Sequence, residues 1–124
     1  MKNMFFLFIV FGFSLFVTHA QTQDNQTGQT VMKRYVVERS FPGGLDIPLN
    51  KKGCNIVLGV ISNNTSEHVI WIHSYVSEDR KKTFCIYEAP SKEAIRKAAV
   101  KNGITVDKIT EVSVLNPYFY TNKQ

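Results

Sequence analysis

The chain is short of the residues that most often mark a reactive centre. It has two cysteines, three histidines and one tryptophan in 124 residues, so a single disulfide is the most it can form. Serine, histidine and aspartate all occur, but no GxSxG or comparable elbow presents a nucleophile on a sharp turn, which excludes a hydrolase of that kind. Long apolar runs are scarce too. The one present, "MFFLFIVFGFSLFV", is about 14 residues, short of the roughly 20 that cross a bilayer as a helix. No basic stop-transfer cluster follows it, and no nearby cysteine offers a lipid attachment point. Acidic residues are outnumbered, ten against fifteen Lys and Arg. The basic residues are scattered through "RKK" at 80–82, "RK" at 96–97 and the chain ends with acids between them, which reads as a solvated basic surface and not a nucleic-acid stripe. There is no internal repeat and no second linker, so one domain is expected.

What is present begins with an export pattern. Lys2 precedes the apolar run, which closes on "THA", so residues 1–20 read as a signal peptide with the mature chain starting at Gln21. Its removal takes Lys2 and lowers the formal charge from +5 to +4. The expected location is periplasmic or secreted, with no membrane attachment after cleavage. Residues 21–31 are Gln, Thr, Asn, Asp and Gly with almost nothing apolar, a disordered leader that cannot bury enough surface to offset its ordering entropy. Residues 32–124 form the domain.

Within it, "VMKRYVVERSF" is β-branched and aromatic and stops at "PGG", a first strand. Residues 49–64 carry Cys54, Val57, Leu58 and Ile61 at helical spacing, which predicts a helix with that stripe buried and Cys54 as a core thiol. "HVIWIHSYV" and "KTFCIYEA" read as two strands joined by "SEDRK". Ser91 after Pro90 is placed to cap a second helix, "KEAIRKAAVKN", that ends at Gly103. Its buried stripe is Ala94, Ile95, Ala98 and Ala99, with Glu93 and Lys97 paired on the wet side. "KITEVSVL" is the last strand. The order βαββαβ predicts an α+β ferredoxin-like plait, a four-stranded antiparallel sheet with both helices on one face. The other face is left open, with Trp71, His73 and Tyr75 alternating onto it. An aromatic face exposed on so small a domain predicts a homodimer, to which the tail "NPYFY" adds contact.

The stretches "YVVERSFPGGLDIP", "WIHSYVSEDRKKTFCIYEAPSKEAIRKAA" and "ITEVSVLNPYFY" resemble a family of small bacterial nickel-binding proteins, formerly a domain of unknown function. The resemblance runs from Tyr35 to Tyr120. It implies a ferredoxin-like fold, a dimer and nickel as the bound metal, with no established catalytic reaction. It supplies no ligand set, so the candidates come from the residues themselves.

His73 leads, because neutral imidazole suits nickel, copper and zinc alike. The structural alternative is a core histidine bonded to a neighbouring strand. Glu38 interrupts the first strand as a ligand or pocket carboxylate, as the partner of a basic residue such as Arg39 or Arg80, or as a simply solvated charge. The place of Cys85 depends on the hairpin. A two- or four-residue loop sets it against Ser74, so that His73 shares its face with Glu88; a three-residue loop sets thiol and imidazole on one face, an arrangement for thiophilic metals. The candidate metal set is therefore His73, Glu38, Cys85 and Glu88. Two other classes fit the same fold: a dimeric ferredoxin-like barrel enzyme, of monooxygenase or isomerase type, whose small-molecule pocket is lined by His73, Tyr75 and Glu38, and an interaction module whose polar residues only organise a dimer.

Overall fold

The computed structural model describes residues 30–121. The expected signal peptide at 1–20 and residues 21–29 of the expected leader lie outside them. The elements are β1 (Lys33–Ser40), α1 (Lys51–Thr65), β2 (Ile70–Val76), β3 (Lys82–Ala89), α2 (Lys92–Asn102), β4 (Lys108–Val112) and a terminal turn, α3 (Tyr118–Thr121). The strands form one antiparallel sheet in the order β2-β3-β1-β4, with α1 and α2 on one side, as the βαββαβ order predicts.

Period-two alternation places the core. Tyr35 and Val37 of β1 and Cys85, Tyr87 and Ala89 of β3 point to the helices and are buried. They meet Ala94, Ile95 and Ala98 of α2, the expected stripe, whose small residues let the helix lie close on the sheet. The ends of α2 are also as expected: Ser91 Oγ accepts from the Ala94 N–H at 3.1 Å, and Gly103 takes φ 63°, where a side chain would be strained. On its wet side Glu93 pairs with Arg96 at 3.7 Å, one residue short of the expected Lys97.

α1 departs from expectation. It packs against α2 and β2, yet its fully buried positions are Gly53 and Asn64; Cys54, Leu58 and Ile61 of the expected stripe are exposed and Val57 is half-buried. The cause is the run Ile56, Val57, Leu58, Val60, Ile61, which is apolar around most of the helix and so does not fix which face turns inward. What fixes it is polar. Asn63 Nδ2 donates to Asn102 Oδ1 and Asn102 Nδ2 donates to Asn64 Oδ1, each at 2.9 Å, tying the ends of the two helices together. Lys101 pairs with Glu67 beside them, and that contact holds the Glu67 carboxyl below its usual range. At the other end Asn50 Oδ1 caps the helix, accepting from the N–H groups of Lys52 and Gly53.

The last strand stops at Val112, short of the expected Leu115, and the chain beyond Pro117 makes one helical turn. Cys54 and Cys85 are both free thiols, one exposed and one buried. Among the described residues no helix is long and apolar enough to cross a membrane.

Candidate metal-binding face

The open side of the sheet carries three of the four candidate ligands, arranged by the ladder into rows. His73 lies opposite Ile86, which faces Val36 and then Thr110. Toward the hairpin the next row is Tyr75, Phe84, Glu38 and Lys108. In the other direction it is Ile70, Glu88, Arg34 and Val112.

Two local features put His73 there. The hairpin closes with Ser77 N–H donating to Lys82 O, which sets Cys85 against Ser74. The pairing also shifts between Trp71 and His73, so Ile72 is an extra residue on the edge strand. A bulge reverses alternation for what lies beyond it. Trp71 therefore pairs with Tyr87 on the helix side and packs on the core, although two residues from His73; it does not share the open face with His73 and Tyr75 as alternation alone predicts. Its indole Nε1 donates to Ser74 Oγ at 2.9 Å, which holds the bulged segment together.

On the open face the His73 ring stands edge-on to Tyr75, centroids 5.1 Å apart and planes at 88°. The imidazole is exposed, and exposed Ile70, Tyr75 and Phe84 surround it in a patch that nothing among the described residues covers. The carboxylates are occupied. Glu88 is paired with Arg34, and Glu38 lies 4.0 Å from Lys108. Glu88, one strand from His73 and diagonal to it, is roughly 7–8 Å away in the backbone. Glu38 is two strands away, about 10 Å before the row offset is added. Cys85 is buried on the opposite side, its Sγ 3.5 Å from Thr83 Oγ1.

Sequence reasoning passed over the two cations that hold these carboxylates. Arg34 was legible, since it alternates onto the same face as Val36 and Glu38; Lys108 required the pairing of β1 with β4. It also offered Arg39 as a partner for Glu38. Arg39 instead points to the helix side, buried over the Tyr87 ring, with Nη1 donating to Thr105 O at 2.6 Å and Nε without a partner.

Measured as a metal centre, one copy of the face is incomplete. Among the described residues no three His, Cys, Asp or Glu side chains gather closely enough to hold an ion. One imidazole faces outward, and the charges nearest it are already paired. It can supply one nitrogen ligand at a surface suited to pairing with another.

Comparisons with known proteins bear on which ion that would be. The family model described as nickel responsive protein SCO4226-like matches residues 35–112, from the first buried residue of β1 to the end of β4. No curated protein matches the chain. Among solved structures it is similar to the crystal structure of SCO4226 from Streptomyces coelicolor A3(2), at 17% identity and a TM-score of 0.53, over 67% of this chain and 99% of that one. Identity that low speaks to the fold alone.

Proposed function

The chain belongs to the SCO4226-like family of nickel responsive proteins, and on that premise we propose that it is an exported protein that binds a divalent transition metal between two copies of itself. The observation that carries the reading is the open face: an apolar patch with one outward imidazole and too few ligands among the described residues of one chain. Pairing two such faces about a two-fold axis covers the patch and brings a second His73 to the first. Nickel is the ion the family points to, while copper and zinc suit the same donors. Copper should bind at least as tightly in the tube, so selection of nickel would rest on geometry and supply.

Each residue has a definite part. His73 is the ligand from each copy. Glu88 and Glu38 share its face, one and two strands away, and a cation that draws on either carboxylate competes with Arg34 or Lys108 for it. Cys85 has no part, being on the far side of the sheet. Burial between the copies excludes competing water. Export, read from residues 1–20, places the activity in the periplasm or outside the cell.

Titration calorimetry with nickel chloride on wild type and His73→Ala, each checked for folding by circular dichroism, tests the reading. It expects binding well below millimolar in the wild type and a large loss in the variant. Full affinity in the variant, or millimolar affinity in the wild type, contradicts it. The enzyme reading gains no comparable support. A groove of about 460 Å³ at the start of α1 lies on the helix side and includes none of His73, Tyr75 or Glu38.

A further inference from the structure

Three asparagine side chains meet where α1 and α2 end, and their donors and acceptors do not balance. Asn63 Nδ2 donates to Asn102 Oδ1 and, at 3.4 Å, to the Lys101 carbonyl oxygen, while Asn102 Nδ2 donates to Asn64 Oδ1. A backbone carbonyl only accepts, so the contact with Lys101 fixes which end of each amide is nitrogen along the row. The last nitrogen has no taker. Asn64 is 3% exposed, and its Nδ2 has no hydrogen-bond partner among the described residues. A buried donor left over in this way calls for one more acceptor.

Asn102 is also the chain's one asparagine followed by glycine. Gly103 is exposed, ends α2 at φ 63°, and has no side chain to shield its backbone nitrogen from the carboxamide before it. Those two groups support an intramolecular reaction. The Gly103 nitrogen, on losing its proton, attacks Asn102 Cγ; the new C–N bond closes a succinimide ring, and the Cγ–Nδ2 bond breaks, its nitrogen leaving as ammonia. Water then opens the ring. Attack at Cγ gives aspartate, and attack at the backbone carbonyl gives isoaspartate, whose main chain runs through Cβ and Cγ. One water enters and one ammonia leaves, and nothing is oxidised or reduced.

In the closed fold both reactants are committed elsewhere. The Asn102 carboxamide is bonded across to α1 at both ends, and the Gly103 N–H donates to Val100 O at 3.0 Å. The reaction starts when the last turn of α2 opens, and helix ends open at little cost.

The aspartate formed returns to a site that fits it. Asn63 Nδ2 still has its acceptor. Toward Asn64 a carboxylate oxygen replaces an amide N–H, and turning the Asn64 amide over exchanges its Oδ1 and Nδ2 with little movement, which sets the spare donor on the carboxylate. One buried Asn64 atom stays unpartnered, but it is then a carbonyl oxygen, the kind that folded proteins more often leave so. The C-terminus of α2 disfavours the negative charge, and two charge-assisted hydrogen bonds offset this.

We propose that Asn102 is a site of spontaneous conversion to aspartate, and that Asn63 and Asn64 hold α1 to α2 in either form. The site lies on the far side of the sheet from His73.

Full-length protein kept folded in warm, mildly alkaline buffer, then digested and mapped by mass, tests the conversion. Residue 102 should gain the amide-to-acid mass about tenfold faster than Asn50 or Asn55, whose next residues carry side chains, and faster still when urea opens the chain. Conversion at residue 102 no faster than at those two overturns the proposal. Thermal melting at neutral pH tests the fit of the product. Asn102→Asp should melt within a few degrees of wild type, and Asn102→Leu, of similar size but with neither donor nor acceptor, well below both. An Asn102→Asp protein that melts as low as Asn102→Leu, or does not fold, overturns it as well.

Discussion

Two glycines in the same helix should respond to alanine with opposite signs. A Cβ built on Gly53 would lie 1.8 Å from the Pro48 carbonyl oxygen and 2.9 Å from its carbon. Carbon and carbonyl oxygen ordinarily approach to about 3.3 Å, so helix or loop must move by about 1.5 Å. That movement pulls on the bonds anchoring the helix start, the Gly53 N–H to Asn50 Oδ1 at 3.2 Å and the Cys54 N–H to Asn50 O at 2.9 Å. Forcing an extra carbon into a tight contact costs about 1–3 kcal/mol. Losing the cap adds about 1 kcal/mol. Alanine's better helix propensity returns about 1 kcal/mol. Gly53→Ala should then be destabilised by about 1–3 kcal/mol, a fall in Tm of very roughly 4–8 °C per kcal/mol for a domain of this size. Gly59 has nothing within 4 Å of the same added atom. There only the propensity gain of up to about 1 kcal/mol remains, and Gly59→Ala should be more stable than wild type. Urea unfolding followed by circular dichroism reads both. A Gly53→Ala protein as stable as Gly59→Ala would refute the reasoning, because the Pro48 loop would then yield at no cost.

Ile95 is almost fully buried between α2 and the sheet, and Ile95→Ala should lose about 2–5 kcal/mol in the same assay. Burial, with a smaller contribution from Cys85, raises the Tyr87 phenol above its ordinary 10.0. The neutral form is thus favoured in the folded state, and its contribution is complete below pH of about 10 and is lost as pH rises through the folded value. Stability should fall above that pH in wild type and fall less steeply in Tyr87→Phe. Replacing Tyr75 and Phe84 together by glutamate puts like charges into the proposed pairing face; light scattering after gel filtration should show half the wild-type mass, and an unchanged mass argues against that face as the interface.

The sheet was legible because its signals are local and agree. β-branched runs, the "PGG" stop, Ser91 and Gly103 each act within a few residues, and the βαββαβ order left few topologies. α2 was legible because alanines mark one face of it and charges the other. α1 was not, because its apolar residues surround the helix and an asparagine network, invisible to periodicity, orients it. The open face was read in part. His73, Glu38 and Glu88 do share it, but Trp71 does not, since a bulge at Ile72 breaks the alternation that placed it there. Bulges carry no reliable mark in a short edge strand, whereas the four-residue hairpin loop that turned Cys85 inward was one of the three lengths weighed. Alternation puts Arg34 on the same face as Glu38, but that it pairs with Glu88, and Lys108 with Glu38, depends on which strands pair across the sheet.

In the proposed dimer a metal is held between two copies by His73 from each. Crystals grown with nickel, with anomalous differences collected at the nickel edge, test this most directly. The expected peak lies at the interface of two open sheet faces, about 2 Å from a ring nitrogen of His73 in both copies. A peak bound within one chain, or on another surface with the two His73 rings apart, would contradict it.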